Sequence, residues 1–394
     1  MNQRVLVIGG GIAGASSIVG LRNVNKDVEI FLVEPKEYME ACWAAYRAPF
    51  EEWVAKGSLF DLAPFCEKYN VTQVRCLVKS LSQSSADLDN GDTIHFDVCV
   101  VATGATSNWE GLGRGPRRYS VKDRLKQLKE VGEKLLSVKS VLVIGGGITG
   151  TELAGDIACY AKRAAKEITV TLVHSGNHLC PEMNEQAGSR AKQQLEEHGV
   201  TVILNERCIA NDSGKTYTLA SSGEGIEADE IILTVGNVAL NDFFEDGLRA
   251  CLNENGWVEV DEYFRVAGAE GKIFSIGDCC TLLPNSGSQI VFNKDVIGHN
   301  INAALEAGKE GCPNPSERGE EGNGNGRNTA HPRLEKYALG PEVYVATTGT
   351  KSGVMYFRND WYNNAWTTWL LPWLKQKTMF FFSPKTKLGI SSVE

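Results

Sequence analysis

The chain has 394 residues, of which 42% are hydrophobic and 23% charged, as is ordinary for a globular protein of two or three domains. Its net charge of -9 argues against a nucleic-acid-binding protein, which would carry a basic surface. Eleven cysteines scattered through a long chain without a signal peptide favour a reducing compartment. No apolar run approaches the roughly 18 residues of a membrane span. We therefore expect a cytoplasmic protein that is at most peripheral to a membrane.

The first predicted unit opens with an apolar strand at residues 5–8, which a glycine-rich turn joins to a helix. The turn consists of Gly9, Gly10, Gly11, Ile12, Ala13 and Gly14. Glycines at this spacing let the backbone approach a pyrophosphate at the positive end of the helix. A second strand over residues 29–33 ends at Glu34, at the ~20-residue distance typical of a carboxylate that binds a ribose hydroxyl. The alternative for Glu34 is a solvated residue at a strand end.

A later apolar strand, at residues 97–101, runs into Ala102, Thr103 and Gly104. Residues 231–234 repeat this arrangement and run into Val235 and Gly236. Each alone would be a plain turn, but together, at similar distances after two similar glycine turns, they indicate an internal repeat.

The second unit begins with an apolar strand at residues 141–144 and a second glycine turn, predicting a second dinucleotide site. This turn consists of Gly145, Gly146, Gly147, Ile148, Thr149 and Gly150. Its second strand ends at His174, with neither an acid to select an unphosphorylated ribose nor an arginine to select a 2′-phosphate. We expect weak discrimination between NADH and NADPH. Two dinucleotides on one chain suggest electron transfer between them.

A third signature is the apolar strand that delivers Gly277 and Asp278. A carboxylate there can accept hydrogen bonds from the ribityl hydroxyls of a flavin, and the next helix can direct its N-terminus at phosphate. The alternative is a turn aspartate that caps this helix. No metal site is predicted.

The C-terminal region combines a flexible loop with an aromatic tail. Residues 311–330 include a Gly/Asn-rich run that cannot bury a face. Trp366, Trp369, Leu370, Trp373 and Leu374 fall on one helical stripe, with lysines nearby. This pattern predicts either peripheral membrane contact or packing on the core.

Taken as a set, these motifs resemble those of the two-dinucleotide-binding flavoproteins, the pyridine nucleotide-disulfide oxidoreductase superfamily. The resemblance implies an α/β fold with two Rossmann-like dinucleotide-binding domains and a small C-terminal element. The division expected is a first part of the FAD domain at 1–118, an NAD(P)H domain at 119–242, a second part of the FAD domain at 243–345, and an aromatic-rich element at 346–394.

The cysteines help to choose a branch of this superfamily. Many disulfide reductases carry a Cys-x4-Cys pair after the first acid, but here Cys42 has Arg47 at the partner position. Cys279 and Cys280 are adjacent, a spacing that gives only strained disulfides. The segment from Lys36 to Ala48 resembles the ferroptosis-suppressor branch of apoptosis-inducing-factor homologues, as do residues 170–175 and 374–383. We expect Lys36, Arg47 and His174 in these segments to contact a cofactor. Asn2 stands where myristoylation would need a glycine, so we expect no acylation there.

The resemblance implies FAD in the first unit, NADH or NADPH in the second, and hydride transfer from nicotinamide to flavin. Glu152 is the candidate at the nicotinamide end, and Asp156 a weaker one; both could instead be first-turn acids that favour the helix dipole. Lys294 and Lys377 are candidates beside the flavin, unless they are surface lysines.

The leading prediction is an NAD(P)H:quinone oxidoreductase at a membrane surface. Phe380, Phe381 and Phe382 could form an apolar entrance for the quinone ring, and the alternative is that they pack in the core. The alternatives are a reductase of an iron–sulfur or other protein electron carrier, and a slow-turnover NAD(P)H sensor of the apoptosis-inducing-factor type.

Overall fold

The computed structural model describes residues 3–107, 109, 120–211, 216–282, 287–309, 333–340, 342–358, 363–367 and 388. The strands are β1 (Arg4–Ile8), β2 (Glu29–Val33), β3 (Tyr38–Glu40), β4 (Leu59–Asp61), β5 (Val71–Val74), β6 (Val78–Leu81), β7 (Ser85–Leu88), β8 (Thr93–His95), β9 (Val98–Val101), β10 (Ala105–Thr106), β11 (Ser140–Ile144), β12 (Thr169–Val173), β13 (Val200–Ile203), β14 (Cys208–Ala210), β15 (Tyr217–Leu219), β16 (Gly225–Ile226), β17 (Glu230–Leu233), β18 (Val238–Ala239), β19 (Ile273–Ser275), β20 (Glu342–Thr347), β21 (Gly353–Arg358) and β22 (Asn363–Thr367). The helices are α1 (Ile12–Val24), α2 (Glu52–Gly57), α3 (Leu62–Lys68), α4 (Val121–Leu135), α5 (Ile148–Arg163), α6 (Glu185–Glu197), α7 (Asp246–Arg249), α8 (Gly287–Phe292) and α9 (Lys294–Lys309), and a 3-10 turn covers Cys42–Ala44.

The first parallel sheet has the strand order β19-β9-β1-β2-β5. Its central strand β1 is apolar and buried from Val5 to Ile8, as expected for a parallel strand covered on both faces. Because all five strands are parallel, their carboxyl ends meet at one edge of the sheet. The late strand β19 therefore brings Gly277 and Asp278 to the edge that carries the first glycine turn.

The second parallel sheet has the order β13-β12-β11-β17, and α5 follows β11 as α1 follows β1. Two strand–glycine turn–helix units on parallel sheets confirm the predicted α/β fold with Rossmann-like units. The division into four segments stays a prediction.

Five smaller antiparallel sheets complete the described part of the chain: β6-β7-β8, β14-β15-β16, β20-β21-β22, β3-β4 and β10-β18. The predicted tail helix is wrong at its first residue, because Trp366 belongs to β22, where it pairs with Met355 of β21. This pairing satisfies the backbone groups of β22, and tryptophan has a high propensity for strands. The rest of the predicted stripe lies outside the described residues.

The tightest helix contact in the first unit joins α1 to α9. Gly20 and Gly298 face each other across it, and a Cβ atom at either position would collide with the backbone of the other helix. The two glycines therefore let the backbones of α1 and α9 pack against each other.

We expect Gly298→Ala to lower the free energy of unfolding by about 1–3 kcal/mol, because the added methyl group has no space between the helices. Gly308→Ala is the matched control in the same helix, since a Cβ atom there meets nothing. That change should be neutral or stabilise by at most about 1 kcal/mol. Chemical denaturation compares the two variants, and equal stabilities would contradict the interpretation of the helix crossing.

Candidate functional site

In the first glycine turn, a Cβ atom would collide with other protein atoms at Gly9 and Gly14 but would have free space at Gly11. Gly9 has a φ of +105°, and a Cβ atom there would collide with the carbonyl oxygen of Ala102. A Cβ atom at Gly14 would collide with the carbonyl oxygen of Gly9, so the start of α1 packs directly on the turn. At Gly11 a Cβ atom would meet nothing within 4 Å. The space over Gly11 is therefore the place that a phosphate group can approach.

The acid at the end of β2 is part of this turn. Glu34 is buried, and its Oε2 accepts a hydrogen bond of 2.7 Å from the backbone N–H of Gly10. Its Oε1 accepts a hydrogen bond from the backbone N–H of Lys36, whose ammonium lies 3.9 Å from the same oxygen. The carboxylate is thus held in one orientation beside the turn, as a residue that binds a ribose hydroxyl requires.

A cavity of about 450 Å³ opens over the first turn and extends to the second unit. Eleven of the predicted site residues line it: Gly11, Ile12, Ala13, Glu34, Lys36, Ala102, Thr103, Gly104, Glu152, Gly277 and Asp278. Gly277 has a φ of +89°, and a Cβ atom there would press on Ala13, so β19 fits closely against the turn. The cavity therefore joins segments that lie far apart in the sequence.

The second turn repeats the first. Gly145 has a φ of +113°, and a Cβ atom at Gly150 would collide with the carbonyl oxygen of Gly145. Gly147 is the N-cap residue of α5. Thr234, at the end of β17, donates a hydrogen bond of 2.9 Å to the carbonyl oxygen of Gly145, while Gly236 turns the chain with a φ of +72°. Ile148, Thr149 and Glu152 reach the shared cavity. The other predicted residues of this unit lie outside its lining: Gly145, Gly147, Gly150, His174 and Gly236.

His174 occupies in the second unit the position that Glu34 occupies in the first. Its Nδ1 accepts a hydrogen bond of 3.1 Å from the backbone N–H of Gly146, as Glu34 does from Gly10. A histidine nitrogen can accept only when the ring is neutral in this tautomer. Burial, and then the nearby His178, lower the pKa of His174, which favours that neutral form. The sequence already places His174 at the end of its second strand, as it places Glu34, whereas the hydrogen bond to the turn that the two residues share is seen only in the structure.

A buried network of charges lies where the two units meet β20. The guanidinium of Arg47 binds both carboxylate oxygens of Asp156, at 3.0 and 2.7 Å, and donates to the carbonyl oxygen of Gly349. The Oε1 of Glu152 accepts hydrogen bonds from the backbone N–H and the hydroxyl of Thr347, at 2.7 and 2.9 Å. Burial alone would lower the pKa of Arg47, but the charge and hydrogen bonds of Asp156 outweigh it and raise that pKa.

Two predicted site residues with charged side chains, Arg47 and Lys294, do not line the cavity. The Arg47 side chain is committed to Asp156, and Arg47 does not line the cavity because the network draws the guanidinium toward α5. Lys294 binds its neighbour Asp295 at 2.6 Å and is likewise outside the lining. Lys377 lies outside the described residues.

The cavity wall also contains residues that the sequence did not single out. Trp43, Tyr46 and Tyr344 line it, and Thr347 binds the cavity residue Glu152. Trp43 and Tyr46 lie far from Tyr344 and Thr347 in the sequence, and only the fold brings these side chains together at the cavity. Cys279 and Cys280 are buried thiols that form no disulfide, and burial raises the pKa of each.

The sequence profile of one family, described as pyridine nucleotide-disulphide oxidoreductase, matches residues 3–311. Apoptosis-inducing factor homolog A of Dictyostelium discoideum is 28% identical over 295 residues, covering 70% of each chain. Ferroptosis suppressor protein 1 of Mus musculus is 25% identical over 283 residues, covering 70% of this chain and 73% of that protein. The solved sulfide:quinone oxidoreductase of Aquifex aeolicus has a similar fold, with a TM-score of 0.72, 18% identity, and coverage of 98% of this chain and 92% of that chain.

The open space at Gly11 allows a variant that separates ligand binding from folding. We expect Gly11→Val to purify without FAD and to fold with the melting temperature of FAD-free wild-type protein, because a Cβ atom there meets no protein atom within 4 Å but lies in the approach of the pyrophosphate. The visible absorption spectrum and thermal denaturation check this. A fully yellow Gly11→Val protein would contradict the assignment of the first site.

Because His174 occupies the position of Glu34, its charge should influence how tightly the second site binds NADP⁺, which carries a 2′-phosphate. We expect His174→Glu to keep the hydrogen bond from Gly146 while adding a negative charge, so that NADP⁺ binds at least about tenfold more weakly and NAD⁺ is little affected. His174→Gln is the matched neutral control and should retain both ligands. Calorimetric titration measures each affinity, and equal loss of NADP⁺ binding in both variants would contradict a charge effect.

Proposed function

The chain belongs to the pyridine nucleotide-disulphide oxidoreductase family, and from this premise we propose that it passes electrons from NAD(P)H, through FAD, to a quinone at a membrane surface. The chain is an FAD-dependent pyridine-nucleotide oxidoreductase, since FAD and NAD(P)H are the cofactors of this family. Its electron acceptor and its contact with a membrane are the proposed parts.

The observation that carries the proposal is a single cavity lined by both glycine turns. Gly11 reaches it from the first unit, Thr149 from the second, and Glu152 lies between them and β20. Two dinucleotides held on these turns would lie end to end in the shared cavity. Such an arrangement suits hydride transfer, which requires the reacting rings to be close and oriented.

The residues of the first unit fit FAD. The turn at Gly11 and the N-terminus of α1 suit the pyrophosphate, Glu34 suits a ribose hydroxyl, and Asp278 suits the ribityl chain. Bound there, FAD would supply two-electron chemistry, accepting a hydride and passing electrons on. In the second unit Gly147 and the N-terminus of α5 suit the pyrophosphate of NAD(P)H, with Glu152 toward the nicotinamide end.

Two features support a small apolar acceptor over a disulfide. Arg47 stands at the second cysteine position of the Cys-x4-Cys pattern and is bound to Asp156, so the pattern of many disulfide reductases is not present at this place in the chain. The cavity wall near Cys42 carries the aromatic side chains of Trp43 and Tyr344, which suit a quinone ring. The name of the similar sulfide:quinone oxidoreductase agrees with an acceptor of this class.

Membrane contact rests on the C-terminal tail, most of which lies outside the described residues. Among the residues that the structure describes, no helix is both long and apolar enough to cross a bilayer. We propose that the tryptophans and lysines after β22 make a peripheral contact, through which a membrane-dissolved quinone reaches the cavity.

A reductase of a protein electron carrier is the second candidate, because a solved ferredoxin reductase of Rhodopseudomonas palustris also has a similar fold, with a TM-score of 0.66 and 17% identity over 90% of this chain and 82% of that chain. Docking of an acidic carrier would need a basic surface. On α4, however, Lys126 and Lys129 lie within 4 Å of Glu130 and Glu133, which offsets their charge. The basic cluster at 114–118 lies outside the described residues.

NAD(P)H oxidation by the purified yellow protein tests the proposal. We expect the rate to rise at least about tenfold when a ubiquinone or menaquinone analogue is added, and further when the quinone is presented in liposomes. Gly147→Val is the control, because only a flexible Glu182 side chain lies near the added group; it should keep its FAD but lose oxidation of NAD(P)H. Reduction of ferricyanide without reduction of any quinone, with liposomes present, would overturn quinone as the acceptor.

A further inference from the structure

A buried ion pair lies behind the wall of the cavity, between Glu40 of β3 and Arg124 of α4. Glu40 lines the cavity, and the guanidinium of Arg124 donates to both of its carboxylate oxygens, at 2.7 and 3.1 Å. Only 2% of the Arg124 side chain and 5% of the Glu40 side chain are exposed. Arg124 itself does not line the cavity, so its charge acts there through Glu40.

The helix that carries this guanidinium is fixed on the first unit at two more points. α4 leads into β11 of the second parallel sheet, and Arg124 is 84 residues from Glu40 in the sequence. The backbone N–H of Val121, the first residue of α4, donates a hydrogen bond of 2.7 Å to the Glu37 carboxylate. A Cβ atom at Gly132 would collide with the carbonyl oxygen of Pro49, so the end of α4 packs closely on the segment after β3.

The charges of the cavity wall show why Glu40 needs a cation. Among the described residues that line the cavity, carboxylates outnumber basic side chains: the lining includes Glu34, Glu40, Glu152 and Asp278, but only Lys36 as a base. The pyrophosphate of FAD adds two negative charges to the same space. Like charges repel more strongly in a partly enclosed site than in water. An unpaired Glu40 would therefore oppose the binding of FAD.

We propose that Arg124 is a positioning residue for the FAD site, which holds the Glu40 carboxylate and neutralises its charge so that the cavity can accept the pyrophosphate of FAD. A helix that leads into the second unit thus completes the charge balance of the cofactor site of the first. This inference rests on the proposed placement of FAD over Gly11 and not on the electron acceptor.

The signs of two single substitutions separate this role from simple packing. Full-length protein freed of flavin is titrated with FAD, and flavin fluorescence reports binding. We expect Arg124→Met to bind FAD at least about tenfold more weakly, because the Glu40 anion is left unpaired. Glu40→Gln should bind FAD at least as tightly as wild type, because it removes an anion while Arg124 keeps its positive charge. The double variant, which has neither charge, should return to within about threefold of wild type.

Riboflavin tests whether the effect depends on ligand charge. It has the ring and ribityl chain of FAD but no pyrophosphate, so its affinity for Arg124→Met should stay within about twofold of wild type. If Arg124→Met does not fold, Glu40→Gln and the double variant still decide the proposal, through FAD binding.

Arg22→Met is the matched control for the loss of a buried arginine. Arg22 is 8% exposed, donates to backbone carbonyl oxygens such as those of Val28 and Tyr69, and does not line the cavity. Its substitution should lower the melting temperature but leave FAD affinity within about threefold of wild type.

Wild-type FAD affinity in Arg124→Met, or equal weakening in Arg124→Met and Glu40→Gln, would overturn the role of Arg124. Parallel losses of FAD and riboflavin binding would overturn it as well. A Gly11→Val protein that keeps its FAD would instead overturn the proposed placement of FAD, so the two failures are distinguishable.

Discussion

The buried ion pair between Arg47 and Asp156 lies where the first unit, the second unit and the C-terminal sheet β20-β21-β22 meet, and the contact between these three parts depends on it. Removing two charges from water is costly unless each is fully paired, so the pair forms only when its two segments are in register. Arg47 comes from the chain after β3, Asp156 from α5, and Gly349 beyond β20 accepts the remaining guanidinium hydrogen bond. One pair thus ties the first unit, the second unit and the C-terminal sheet together at the wall of the cavity.

The same helix face carries a second carboxylate with a different environment. Glu152 and Asp156 are four residues apart on α5, which places them on one side of the helix. Asp156 is neutralised by Arg47, whereas Glu152 receives neutral donors from Thr347 and lines the cavity. The helix therefore carries one carboxylate in a buried ion pair and another at the wall of the cavity.

The two dinucleotide-binding units share a backbone design but differ at one side chain. In each, the residue at the end of the second strand accepts a hydrogen bond from the second glycine of the turn. In the first unit this residue is a carboxylate, and in the second it is a neutral imidazole. The backbone N–H of the second glycine therefore has an acceptor in both units, but the charge of that acceptor differs. We expect the selectivity for a ribose 2′-phosphate to differ with it.

The sequence by itself determined the architecture of the two units, because glycine positions and apolar runs follow from local geometry. A tight turn with positive φ at Gly9 and Gly145 leaves a direct signature in the chain, as do buried parallel strands. It also determined most of the first site, since Glu34 and Asp278 immediately follow strands whose ends meet at one edge.

Only the tertiary structure decided what depends on contacts between distant segments. Thr347 is 195 residues from Glu152, and Arg47 is 109 residues from Asp156, and no local pattern links such pairs. Arg47 was predicted at a cofactor because its neighbours in the sequence suggested it, but a buried partner carboxylate drew it away from the cavity.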